Sequence, residues 1–355
     1  MLTFVGGSAD TGLVKIDGKL SDWGIWGYAF GYFACYAPYS ALTKAMSMGV
    51  LAPDEVPPTG FEVLPITVMA SVVGMMLFIT AKGWWRHVPR TRALGLSLPL
   101  PGRTTFVSGL CTAGIIATTT MAYTFREVSI VFVMLLMRGG MLLLAPIVDR
   151  VAGRHVRWFS WVALGLTLGA LLVAFAEGAG LELGVLCGLD IGLYLGCYFV
   201  RLNYMSRLAK SEDPDANVRY FVEEQMVASP ALLLTLALGA LIGSGTILGE
   251  VRAGFTTFWS SGLVWHGLLV GLLSQGTGIF GGLILLDRRE NSYCVPVNRA
   301  SSILAGVVAT YGLMLLHGLS GPSTHELVGA AMIVGAILFL TIAPMREARR
   351  RTGSR

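Results

Sequence analysis

Val128–Val148 reads VSIVFVMLLMRGGMLLLAPIV, twenty-one residues with one ionisable side chain, Arg138, in its middle. Coiled as a helix at 1.5 Å per residue, the stretch is about 31 Å long, the thickness of a bilayer's hydrocarbon core. It is apolar all the way round, so it has no face to present to water. Apolar residues recur in runs of this length on both sides of it. The chain therefore reads as a polytopic membrane protein, and Arg138 stands about 15 Å deep in it.

Composition agrees. Of 355 residues, 54% are hydrophobic and 13% charged, with a mean hydropathy of +0.68. A soluble domain carries about a quarter charged residues. The net charge is +5, with no basic stripe interleaved with aromatics, so nucleic acid is not an expected partner. Cys35, Cys111, Cys187, Cys197 and Cys294 all lie within apolar runs and show no paired spacing, which suits small core residues. Met1–Asp22 lacks a basic stretch followed by an apolar one, so no cleaved signal is expected there and the first span inserts directly.

Ten apolar spans follow, at 23–48, 64–81, 104–125, 128–148, 158–176, 183–204, 220–242, 262–286, 292–316 and 326–344. Turn-like or charged segments separate them, such as Pro53-Asp54-Glu55 and Ser211-Glu212-Asp213-Pro214, and Arg126-Glu127 alone divides spans three and four. With the N-terminus in the cytoplasm, the inner segments hold Lys15, Lys19, Lys82, Arg86, Arg90, Arg92, Arg103, Arg150, Arg154, Arg157, Arg207, Lys210, Arg219, Arg288, Arg289 and the Arg346–Arg355 tail. The outer segments hold only Arg126 and Arg252. This asymmetry is what the positive-inside rule demands, and it puts both termini in the cytoplasm. In a bacterium the membrane would be the inner one.

Cys111-Thr112-Ala113-Gly114-Ile115 in span three parallels Gln275-Gly276-Thr277-Gly278-Ile279 in span eight. Leu168-Gly169-Ala170-Leu171-Leu172 parallels Val334-Gly335-Ala336-Ile337-Leu338 in the same way. One five-helix unit used twice is implied, and because five is odd the second copy is inverted. The expected fold is thus all-α and integral to the membrane, with ten transmembrane helices as two inverted five-helix repeats. Its parts are a cytoplasmic segment 1–22, a first repeat 23–177, a second repeat 183–344 and a basic cytoplasmic tail 345–355. In span six, Gly184, Gly188, Gly192 and Gly196 recur at every fourth position, a spacing that suits close helix packing. Gly27/Gly31, Gly165/Gly169 and Gly267/Gly271 repeat the spacing.

Arg299, in span nine, is the repeat counterpart of Arg138 and lies roughly 10 Å from the cytoplasmic side. A central arginine costs on the order of 2.5–3.5 kcal/mol on insertion scales and stays protonated, so each requires water or a partner. A planar guanidinium binds carboxylate or phosphate through two hydrogen bonds, so the pair is suited to an anionic solute. A structural ion pair with Asp190, in the outer third of span six, is the alternative. Asp190 is also a candidate for proton coupling. Glu223 and Glu224 lie near the inner end of span seven. Lys44, late in span one, either draws anions to the outer mouth or reaches to the interface.

Tyr28, Tyr32, Tyr36 and Tyr39 share one helical face of span one, and Tyr194 and Tyr198 share one of span six. Tyr28 belongs to the interfacial belt. The deeper Tyr36, Tyr39, Tyr194 and Tyr198 offer rings and hydroxyls to a polar cavity. Gln275 in span eight adds a mid-membrane amide.

Ten helices in this layout, with a polar and basic step in span nine, resemble the drug/metabolite transporter superfamily. Cys294-Val295-Pro296-Val297-Asn298-Arg299-Ala300-Ser301-Ser302-Ile303 is similar to the stretch where nucleotide-sugar transporters carry Gly-Ala-Leu-Asn-Lys and triose-phosphate translocators carry Val-Lys-Arg. Asn298 fits the first pattern and Arg299 the second. Gly-Ala-Leu is absent, and no lysine precedes the arginine. The resemblance covers roughly 23–344 and implies alternating access around a central cavity, with spans four and nine near its centre.

The expected function is secondary transport of a small organic anion, a phosphorylated or carboxylated metabolite. The expected solute ligands are Arg138, Arg299, Asn298, Gln275, Tyr36, Tyr39, Tyr194 and Tyr198. No cofactor or metal is expected, and the chain acts as a monomer or homodimer in the lipid bilayer. Alternatives are a broad exporter of metabolites, amino acids or drugs, a flippase for a lipid-linked sugar phosphate, and a receptor or scaffold. An enzyme is disfavoured: His87, His155, His266, His317 and His325 show no metal spacing, and no Gly-x-Ser-x-Gly or His-Glu-x-x-His sequence occurs.

Overall fold

Every apolar run forms a helix in the computed structural model, which describes residues 18–93, 96–125, 128–151, 158–176, 184–208, 215–287 and 291–352. In chain order the helices are α1 (Gly18–Ser47), α2 (Gly60–Ala81), α3 (Arg103–Thr124), α4 (Ile130–Val151), α5 (Trp158–Ala176) and α6 (Val185–Leu208). They continue as α7 (Ala216–Ile242), α8 (Thr246–Phe255), α9 (Val264–Leu285), α10 (Asn291–His317) and α11 (Thr324–Thr352). Among the described residues, six helical stretches are long and apolar enough to cross a membrane: α2, α3, Val185–Met205, α7, α9 and Val297–His317. That is the build of an integral membrane protein.

Local chemistry sets several helix ends. Thr59 and Glu62 open α2 reciprocally, each side chain meeting the other's backbone N–H, so two otherwise unpaired donors are satisfied. Gly243 closes α7 at φ +57°, where a side chain would be strained. Buried Lys44, late in α1, donates to the Phe125 and Val128 carbonyls beyond the end of α3. It therefore ties α1 to the α3–α4 turn and is buried there instead of extending into open space.

Two features lie beyond the helical expectation. A two-stranded antiparallel hairpin, β1 (Arg90–Ala93) and β2 (Leu96–Pro99), fills the connection between α2 and α3, with Arg90 opposite Pro99. The amphipathic α8 lies between α7 and α9, and Thr59 Oγ1 donates to its Glu250 at 2.9 Å. It is too short to span and therefore carries no span-length signal. Helix α1 begins at Gly18 and α11 runs through the basic tail to Thr352, so both outer helices exceed their apolar cores. Residues 1–17, the Arg126-Glu127 break, Ser211–Pro214 and the inner-loop cations Lys15, Arg154, Arg157, Lys210, Arg288 and Arg289 lie outside the described residues.

Packing is specific. Helix α1 lies against α9 and α10, while α6 lies against α3 and α4. Helices α2 and α7 pack on α9 and α3 respectively, and α5 packs on α11. The closest approach is at Gly271, where an added Cβ would lie 2.2 Å from the Thr67 carbonyl oxygen. There Ser71 Oγ donates to the Gly271 carbonyl at 2.8 Å. The glycines of α6 do otherwise. A Cβ at Gly184, Gly188, Gly192 or Gly196 would meet nothing within 4 Å, so the expected packing stripe lies on an open face of the chain.

Candidate functional site

Helices α1, α3, α4, α6, α7, α9 and α10 contribute to a central cavity of about 70 Å³ that opens at a mouth. Helix α3 supplies hydroxyls without disturbing its own ladder. Thr112, Thr119 and Thr120 each bond a carbonyl one turn back, at 3.0, 2.7 and 3.1 Å. Arg138 and Arg201 reach the cavity wall, and among the described residues no carboxylate lines it.

Arg138, projecting from α4, is 2% exposed. Its two terminal nitrogens donate to the Tyr194 and Tyr36 hydroxyls. The guanidinium carbon lies 5.3 Å from the Tyr36 ring centre and 5.5 Å from that of Tyr194. Tyr36 passes the network on to Tyr123, hydroxyl to hydroxyl at 2.7 Å, and Tyr39 meets Thr120 Oγ1 at 3.0 Å. Arg138 thus spends its donors on phenols, which hold it without cancelling its charge.

Arg299, from α10, is fully buried and does not line the cavity. Its guanidinium lies over the Tyr198 ring at 4.8 Å, and none of its nitrogens has a hydrogen-bond partner among the described residues. Tyr198 separates it from the cavity. The Tyr194 and Tyr198 rings, their centres 4.7 Å apart and their planes tilted by 59°, stand between the two arginines. The alternative ion pair with Asp190 does not form with either arginine: Asp190 Oδ2 has no partner among the described residues.

Of the other expected ligands, Tyr36, Tyr39, Tyr198, Gln275 and Asn298 line the cavity, and Tyr194 stands behind Arg138. Asn298 Nδ2 donates to the Gly281 carbonyl at 3.4 Å. Asp190 is away from the cavity wall.

Sequence reasoning passed over Arg201. It lies late in α6, where a cation ordinarily marks the interface, yet it is 6% exposed and on the cavity wall. Its Nε and Nη2 donate to the two oxygens of Glu224, at 2.9 and 2.7 Å. Ser108 Oγ and Tyr220 donate to the same carboxylate at 2.6 and 3.2 Å. The neighbouring Glu223 accepts from Thr105 Oγ1 and the Gly102 N–H at 2.6 and 2.9 Å. A second signal was present in the chain itself. Residues 32–36 read YFACY and residues 194–198 read YLGCY, a shared Tyr-x-x-Cys-Tyr. Cys35 faces Gly276 across the α1–α9 contact, and Cys197 faces Gly114 across the α6–α3 contact.

No family model matches the chain, and no curated protein matches it. Thirteen chains of solved structures are similar. One, described only as a crystal structure of a protein, is 14% identical with a TM-score of 0.54, over 91% of this chain and 98% of that one. At that identity the likeness speaks for the fold alone.

Proposed function

We propose that the chain is a secondary transporter for a small organic anion, working by alternating access between two inverted five-helix repeats. The observation that carries this reading is a central cavity walled by Arg138 and Arg201, with no carboxylate among its described lining residues. A guanidinium at membrane depth is tolerated beside water or a negative charge, and here the bonding groups around Arg138 are neutral phenols. An anionic solute supplies the missing charge. Tyrosine rings, Gln275 and Asn298 then hold its uncharged body.

The ten-span, two-repeat architecture is supported by the pairing of helices. Exchanging α1 with α6, α2 with α7, α3 with α9, α4 with α10 and α5 with α11 turns the α1–α9 contact into α6–α3, and α2–α9 into α7–α3. The same exchange carries Arg138 over Tyr36 into Arg299 over Tyr198. Lys44 and the α3–α4 turn then mark the outer end, and Glu224 marks the inner end.

Reconstituted proteoliposomes test the reading with labelled sulfate, glycerol phosphate and succinate. Saturable uptake of at least one, abolished by Arg138→Gln with the protein still folded, is the expected result. Impermeability to all three, or unchanged uptake by the variant, overturns it.

A further inference from the structure

Arg201 occupies an unusual position: it faces the cavity while two of its nitrogens are already taken by the Glu224 carboxylate. An incoming carboxylate, sulfate or phosphate presents the same two-oxygen edge that Glu224 presents. The two therefore compete for one fork. If the solute anion takes it, Glu224 is left buried at 0% exposure beside the neutral donors Ser108 and Tyr220. A carboxylate stripped of its cation at that depth is costly, and taking up a proton removes the cost.

We infer that Arg201 is a second solute ligand and Glu224 its resident counter-ion, so that one proton enters Glu224 for each anion bound. This rests on the anion-carrier reading and adds its coupling to it. The groups that meet Glu224 are Arg201 from α6, Ser108 from α3 and Tyr220 on α7 itself, with Cys111 of α3 near enough to feel its charge; beyond them Arg201 lies against the Tyr198 ring, and the adjacent Glu223 is held by Thr105. Among the described residues, Arg201 alone meets both oxygens of Glu224. Pseudosymmetry points to the same place. In the Tyr-x-x-Cys-Tyr frame the counterpart of Arg201 is Tyr39, three residues beyond the motif, whose hydroxyl meets that of Thr120 and pairs with no carboxylate among the described residues. The ion pair is thus an addition to the cavity wall that the other half of the Tyr-x-x-Cys-Tyr pair does not repeat.

Binding of labelled sulfate to the purified protein across pH provides the test, because sulfate itself does not titrate over the working range. Linkage to one proton requires affinity to fall about tenfold per pH unit once Glu224 is ionised in the free protein. Glu224→Gln is expected to flatten that slope and to bind sulfate more tightly than wild type at the alkaline end, since the competitor is gone. A merely structural carboxylate would not tighten binding when removed. Should Glu224→Gln fail to fold, infrared difference spectra of the wild type decide: a carboxylic-acid C=O band must appear on adding sulfate. Anion binding with no pH slope, or with no such band, overturns the coupling and leaves the carrier intact. If sulfate, glycerol phosphate and succinate all fail to bind, the carrier reading and this inference fall together.

Discussion

Arg299 rests against Tyr198, its guanidinium 4.8 Å from the ring centre, and among the described residues no carboxylate shares the contact. A fully desolvated cation over an aromatic face gains about 2 kcal/mol or more. Tyr198→Leu removes that face. It is expected to lower stability by about 2 kcal/mol, read as a drop in melting temperature in detergent. Tyr198→Phe, which keeps the ring, is expected to lose well under half as much. Equal losses would show that the hydroxyl, and not the ring, holds Arg299.

Arg138 differs in having both terminal nitrogens aimed at phenols from two different helices, Tyr36 on α1 and Tyr194 on α6. A charge-assisted hydrogen bond contributes about 1.5–3 kcal/mol. Arg138→Gln is accordingly expected to weaken anion binding by about 10- to 100-fold. Arg138→Lys keeps the charge but not the fork and should recover part of the loss. Isothermal titration with sulfate measures both, and Lys binding no better than Gln would remove charge as the reason.

These two arginines were legible in the chain because an ionisable residue within an apolar run is conspicuous wherever the run is long enough to cross a membrane. The tyrosines followed from helical spacing alone. Arg201 and Glu224 were not legible as a pair. Each lies near a span end, where a charge ordinarily meets water, and only the convergence of α3, α6 and α7 buries them together. The glycines of α6 misled in the opposite direction. Their spacing is that of a packing face, but spacing cannot say whether a neighbour is present, and none lies within 4 Å. Helix α8 and the β1–β2 hairpin escaped because neither has membrane length.

The Arg201–Glu224 pair allows a stability test separate from transport. Removing one partner of a buried ion pair strands the other and costs about 3–5 kcal/mol. Arg201→Met alone is expected to show that loss. The double variant Arg201→Met with Glu224→Leu is expected to regain most of it, since both desolvation costs vanish together. Urea or thermal unfolding of the four proteins in the cycle supplies the coupling energy, and additive effects would mean that the two side chains are energetically independent.

Two glycine substitutions on helices of similar apolarity should differ sharply. At Gly271 a methyl group would lie 2.2 Å from the Thr67 carbonyl oxygen and 2.7 Å from the Ala70 Cβ, so α9 must move away from α2 and the Ser71 hydrogen bond at that crossing must lengthen. Overpacking of this kind costs about 1–3 kcal/mol. At Gly192 the same methyl meets open space, and alanine is the better helix former. Gly271→Ala is therefore expected to lower the melting temperature and to reduce the yield of folded protein, whereas Gly192→Ala should leave both unchanged or slightly improved. Destabilisation by Gly192→Ala in detergent would place a neighbour against that face of α6 after all.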